Sequence, residues 1–134
     1  MEIFNALSSR KARQLLSSRT DPTAGDKAMH PVISCHQTLK KLGITPNYIG
    51  FHQILSAVEL AYHDIDALFS VTKTLYPAIA KEYGTTWKAV ERNIRSAVSI
   101  AWARNPALLQ ALAGYPLKSK PTAAQFIAIL IDPQ

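Results

Sequence analysis

An all-α domain of about six helices is the fold class this sequence predicts. It is built around a helix-turn-helix of the winged-helix-like kind, without a wing. Three observations lead there. From residue 31 onward the apolar residues recur at helical spacing, and no stretch alternates with period two for long enough to make a strand. Glycines and prolines fall where such helices would stop and start. Residues 76–98 read as two helical segments hinged on a single glycine, Gly84.

Taken in order, Val32 to Leu42 forms a first helix, which Gly43 ends as a left-handed cap. Phe51, Ile54, Leu55, Val58 and Tyr62 follow the i, i+3, i+4 rule of a second. Ile65 to Val71 gives a short third helix. Pro77 suits the first turn of the next, where its missing N–H costs nothing, and that helix runs to Tyr83. Thr85 or Thr86 caps a long helix that reaches Arg104 and is stopped by Asn105-Pro106. Ala107 to Ala113 is short and ends at Gly114. Thr122 and Gln125, three apart, form a capping box for a last helix to Ile131. Residues 1–30 differ in composition. Arg10, Lys11, Arg13, Arg19 and Lys27 outnumber Glu2, Asp21 and Asp26, and Asp21-Pro22-Thr23-Ala24-Gly25-Asp26 breaks regular structure. They are expected to be a basic arm or linker, with a partial helix over 2–17, preceding a domain at 31–134.

The chain of 134 residues is long enough for one real core. Lys and Arg number 15 against 9 Asp and Glu, a net charge of +6 that favours a polyanionic partner, nucleic acid before anionic membrane. Cys35 is the single cysteine, so no internal disulfide forms and a reducing compartment is expected. The N-terminus lacks the basic start and apolar run of a signal peptide. Phe126 to Ile131, the longest strongly apolar run, is too short to span a bilayer. These features predict a soluble cytoplasmic protein with no membrane partner.

Function concentrates in the long helix. With each residue advancing by about 100°, and Lys88 at zero, Arg92 falls near 40°, Arg95 near −20° and Ser99 near 20°. Val90, Ile94, Ala97 and Ala101 gather between roughly 180° and 240°. One side is cationic and the other is core. Such a helix docks on its apolar side and offers Lys88, Arg92 and Arg95 to phosphates and bases of double-stranded DNA. Glu91, at about 300°, sits where a carboxylate accepts from a cytosine amine. The competing reading is a plain solvated face.

These segments also resemble the C-terminal effector domain of the sporulation stage-zero A transcription factor family. The matching phrases are Val71-Thr-Lys-Thr-Leu-Tyr-Pro-Ala-Ile-Ala-Lys81, Thr85-Thr86, Val90-Glu-Arg92, Ile94-Arg95, Ala101-Trp102, Lys120-Pro-Thr122 and Phe126-Ile-Ala128, with Leu42-Gly43-Ile44 and Gly50 in support. The resemblance implies sequence-specific duplex binding, two copies pairing as a dimer on adjacent sites, and contacts from the helix that is Trp87 to Arg104 here. The DNA-binding candidates of this chain are Thr86, Lys88, Glu91, Arg92 and Arg95, and the resemblance implies that role for Glu91, Arg92 and Arg95, where the family chemistry is retained. Three departures stand out. The family carries Ser-Arg, with a guanine-reading arginine, where this chain has Lys88-Ala89. The usual phosphoacceptor receiver does not fit in 30 residues, which predicts a stand-alone effector or a fragment. The segment implied to touch the RNA polymerase sigma subunit, Arg104 to Gly114, is less polar here.

Other chemistry finds little support. His30, His36, His52 and His63 lack zinc-ligand spacing, and no second cysteine exists. No serine sits in a nucleophile elbow, and five scattered glycines make no phosphate loop. No cofactor, no metal and no enzyme activity are expected. Trp102 is read as core and Trp87 as packed against the turn, whereas Lys73, Lys118 and Lys120 fit either phosphate contact or a solvated surface. Two function classes follow: a transcription regulator that reads duplex DNA, and a protein-interaction module that pairs with a related regulator.

Overall fold

In the computed structural model, which describes residues 31–133, helix α1 spans Pro31–Leu42 and turns Cys35, Leu39 and Leu42 inward at one-turn intervals. Its end is a Schellman motif. Gly43 takes φ +96°, its N–H reaches the Lys40 carbonyl at 3.0 Å, and Ile44 N–H reaches Leu39 at 2.9 Å. Helix α2, Ile49–His63, lies at the centre of the domain. Gln53, Ser56 and Glu59 are buried along with Phe51, Ile54, Ala57, Val58 and Ala61. The predicted stripe is therefore corrected at one edge. Leu55 is half-buried, Tyr62 is exposed, and Ala57 and Ala61 carry the inner contacts. A helix packed against α1 and five later elements has nearly all its sides inside, so apolar spacing alone does not reveal which edge meets water.

The expected third helix is also corrected. Residues Ile65–Ser70 form a 3-10 helix, followed by a π-helical turn over Val71–Leu75. Asp64 (φ −147°, ψ 85°) and Ser70 (φ −138°, ψ 49°) leave the helical region and break the continuity that an α-helix needs. The π turn runs directly into α3, Tyr76–Tyr83, and brings Leu75 and Tyr76 into the core. Helix α4 spans Trp87–Arg104, α5 Pro106–Ala113 and α6 Ala123–Ile131. Their starts are capped as the residue types require. Thr86 accepts from Ala89 N–H at 3.2 Å, Asn105 from Leu108 N–H at 3.2 Å, and Thr122 with Gln125 completes the reciprocal box. Six α-helices and no strand occur among the described residues, an all-α fold. The N-terminal arm and its partial helix lie outside them.

Helix α4 is held chiefly by α2 and α3, with α1, α5 and α6 also against it. Val90, Ile94, Ala97, Val98 and Ala101 are buried along its inner side. Gly50 allows a close crossing of α2 over α4, since a Cβ there would lie 2.5 Å from the Asn93 carbonyl oxygen. Beside it, Asn93 Nδ2 donates to the buried Gln53 Oε1 at 3.1 Å. At the far end Arg104 Nη1 donates to the Gly43 carbonyl at 3.1 Å, and Asn105 Nδ2 to Lys41 at 2.9 Å. The same two side chains that end α4 thus satisfy carbonyls at the end of α1.

Candidate nucleic-acid interface

The turn between α3 and α4 sets where the outer face of α4 begins. Gly84 adopts φ +64°, a left-handed conformation that disfavours any residue with a Cβ. Space is not the constraint, since an added Cβ there meets nothing within 4 Å. Thr85 N–H returns to the Ala80 carbonyl at 2.9 Å, closing α3 while Thr86 opens α4. The two helices are separated by three residues, 84–86, and pack against each other, the arrangement of a helix-turn-helix.

On the outer face Lys88, Arg92 and Arg95 are all exposed, opposite Val90 and Ile94, each at 0% exposure. Lys88 Nζ stands 5.7 Å from the Trp87 ring centroid, which steers the ammonium without neutralising it. Trp87 itself is half-buried against the core, as is Trp102, so neither ring is free to reach along a duplex. Arg95 Nη1 lies 3.9 Å from Glu91 Oε1 across one helical turn. Both side chains are well exposed, at 55% and 37%, so this is a loose surface pair that holds neither group tightly. Behind the pair sits Tyr76. Burial pushes its hydroxyl up to about 12, with the Glu91 carboxylate adding to the rise and Arg95 opposing it. The phenol is therefore a fixed neutral donor and acceptor behind Glu91 at any physiological pH.

Arg104 shares the helix but not the face, because its guanidinium is bound to Gly43. Ser99, read on the cationic side, does belong there. Its hydroxyl donates to the Arg95 carbonyl at 3.2 Å and accepts from Lys120 Nζ at 2.7 Å. By sequence alone Lys118 and Lys120 fit either a phosphate contact or a solvated loop. The contact to Ser99, 21 residues away, depends on how the 114–122 loop folds back and leaves no periodic trace in sequence. Thr86 meets the site through its cap, and Ala89, the neighbour of Lys88, contributes only a half-buried methyl.

The three described histidines have partners within the fold, while His30 lies outside the described residues. His52 Nε2 pairs with the Pro46 carbonyl at 2.7 Å and His63 with Glu59 at 3.0 Å, while His36 stacks edge-on to Phe51. Among the described residues no three His, Cys, Asp or Glu side chains gather into a set that could hold a metal ion. Among them also, no helix is long and apolar enough to cross a membrane.

A family model described as "Sporulation initiation factor Spo0A C terminal" matches residues 35–133. The chain belongs to the Spo0A C-terminal family. Membership makes it a DNA-binding effector domain of the sporulation-regulator type, in a family of transcription-factor domains. The match covers five of the six helices entirely and all of α1 but its first turn, so the helix-turn-helix and the cationic face of α4 lie inside the Spo0A C-terminal region.

Proposed function

We propose that this chain regulates transcription by sequence-specific binding of double-stranded DNA, with α4 seated in the major groove. The observation that carries the reading is the division of α4 into a face locked at 0–1% exposure and an opposite face of three exposed cations. In this reading Arg92 and Arg95 donate to guanine edges or phosphates, and Lys88 adds a third cation near the helix N-terminus. Glu91, loosely held by Arg95 and backed by Tyr76, accepts from a base amine. Thr86 fixes the entry of the helix through its cap and lies next to the backbone it approaches. With Ala89 in place of the family's arginine, one bidentate contact is absent, which lowers discrimination by roughly 1–3 kcal/mol or shifts it to a different base.

Residues 31–134 serve as the effector domain, and residues 1–30 as a basic arm. Pairing of two copies on adjacent sites, a sigma-subunit contact through 104–114 and a cytoplasmic location complete the proposal. They rest on family resemblance and composition. A pool of random duplexes, selected by the protein, provides the test. A defined motif is expected, with Arg92→Ala and Arg95→Ala each weakening binding to it by roughly 5- to 150-fold while circular dichroism stays helical. No measurable duplex affinity at low salt would end the proposal.

A second reading draws on a separate observation. Tyr62, Ile65 and Phe69, exposed by 40%, 53% and 84%, lie close in sequence at the end of α2 and on the 3-10 helix. A protein-interaction role with a related regulator would use such a surface. Complex formation unaffected by the two arginine changes but lost in Phe69→Ser would favour it.

A further inference from the structure

We propose that Lys120, carried by the loop before α6, is a phosphate-binding residue that extends the duplex interface beyond α4. The inference rests on the duplex-binding reading above. It begins from a contact between distant parts of the chain. Lys120 Nζ donates to Ser99 Oγ at 2.7 Å, and Ser99 in turn donates to the carbonyl of Arg95. A lysine on an exposed loop ordinarily samples many rotamers, and ordering it on a ligand costs side-chain entropy. Here the ammonium is already placed on the face that carries Arg92 and Arg95.

The loop has its own anchors. Gln110 Oε1 accepts from Leu117 N–H at 2.8 Å, Pro121 is buried, and Thr122 is locked in the α6 capping box. Lys120 is thus held on its C-terminal side by a buried proline and a capped helix, and at its tip by Ser99. One donor of the ammonium is directed to Ser99, which leaves two for a ligand.

Position along α4 decides what that ligand is. Helices of this kind present their N-terminal residues to base edges. Ser99 is 11 residues past Lys88, about 16 Å further along the axis and about three turns beyond the N-terminal residues that meet base edges. A cation tethered there has passed the base edges and stands over the sugar-phosphate ridge. Lys120 therefore strengthens binding without reading sequence, and it does so from a loop, the role a wing would otherwise fill.

The experiment measures duplex affinity against salt for the wild type, Lys120→Gln, Lys120→Arg and Ser99→Ala, on a selected site and on random duplex. One phosphate contact contributes about 0.9 to the slope of log K against log salt. Lys120→Gln is expected to lower the slope by about that amount on both duplexes. Its deficit relative to wild type then shrinks by about 3- to 4-fold between 50 and 200 mM salt. Lys120→Arg should restore the slope, and Ser99→Ala should weaken binding while keeping it. An unchanged slope in Lys120→Gln overturns the inference, as does a loss confined to the selected site, which would make Lys120 a base reader. If Lys120→Gln behaves like wild type while Arg92→Ala still loses affinity, only the role of Lys120 fails. Absence of all duplex binding in the wild type removes this inference together with the functional reading beneath it.

Discussion

Gly50→Ala separates local helix propensity from tertiary packing, because the two predict opposite signs. Alanine is favoured over glycine within a helix by about 0.8–1 kcal/mol. Position 50 is helical with no positive φ, so propensity alone predicts stabilisation. The structure predicts the reverse. The new methyl carbon would sit 2.5 Å from the Asn93 carbonyl oxygen and 3.2 Å from the Ala97 Cβ. Both belong to α4, and the nearer one is backbone, so no side-chain rotation relieves it. Reaching ordinary contact requires α2 and α4 to part by nearly 1 Å, and such overpacking costs typically 1–3 kcal/mol. Because the nearer atom is backbone, the upper part of that range, about 2–3 kcal/mol, applies, and net of the propensity gain the loss is about 1 to 2 kcal/mol. For a domain of this size it lowers Tm by roughly 4 to 12 °C. Urea unfolding followed by circular dichroism measures it directly. The separation also strains the Asn93–Gln53 hydrogen bond and tilts the cationic face, so duplex affinity should fall although residue 50 lies behind the helix. A Gly50→Ala protein as stable as the wild type, or more so, would refute the claim that close α2–α4 contact positions α4.

Two further outcomes follow from buried titratable groups. Cys35 is 3% exposed and burial pushes its thiol up to about 12. At pH 8 a thiol-specific reagent should therefore modify the folded protein only at the rate at which it opens, and the denatured protein at once; fast labelling of the native state would contradict this. Glu82 has its carboxyl raised by desolvation, partly offset by the Ser56 hydroxyl, and its Oε1 is buried without a hydrogen-bond partner. A raised folded pKa means the native state holds the proton more tightly than the unfolded chain. The resulting stability is complete below the unfolded value near 4.5 and is lost as pH climbs through the folded one. Glu82→Gln should thus gain stability relative to wild type as pH rises across that window, and a difference that is flat with pH would show that Glu82 does not titrate in this way.

Most of the cationic face of α4 was legible in sequence because a single amphipathic helix encodes both its faces in one period. Lys88, Glu91, Arg92 and Arg95 share an outer flank because Val90, Ile94, Ala97 and Ala101 must share the inner one. Caps were equally local. Thr86, Gly84, Thr122 and Gln125 act within four residues of themselves, so their types announce their roles. Residues 65–75 were not legible, since a short apolar segment is compatible with α, 3-10 or π geometry and tertiary contacts choose among them. Tyr62 was misread for a related reason: the neighbours of α2 arrive from distant parts of the chain.

The sequence by itself determined that the domain is helical, where its capped helices start and stop, and which side of the long helix is charged. These are properties of nearest and next-turn neighbours. Only the tertiary structure decided that Arg104 is tied to Gly43, that Gly50 admits α2 against α4, and that Lys120 joins Ser99 on the cationic face. Each of those contacts joins residues 21 to 61 positions apart, and their pairing is set by how the helices pack rather than by any repeating pattern along the chain.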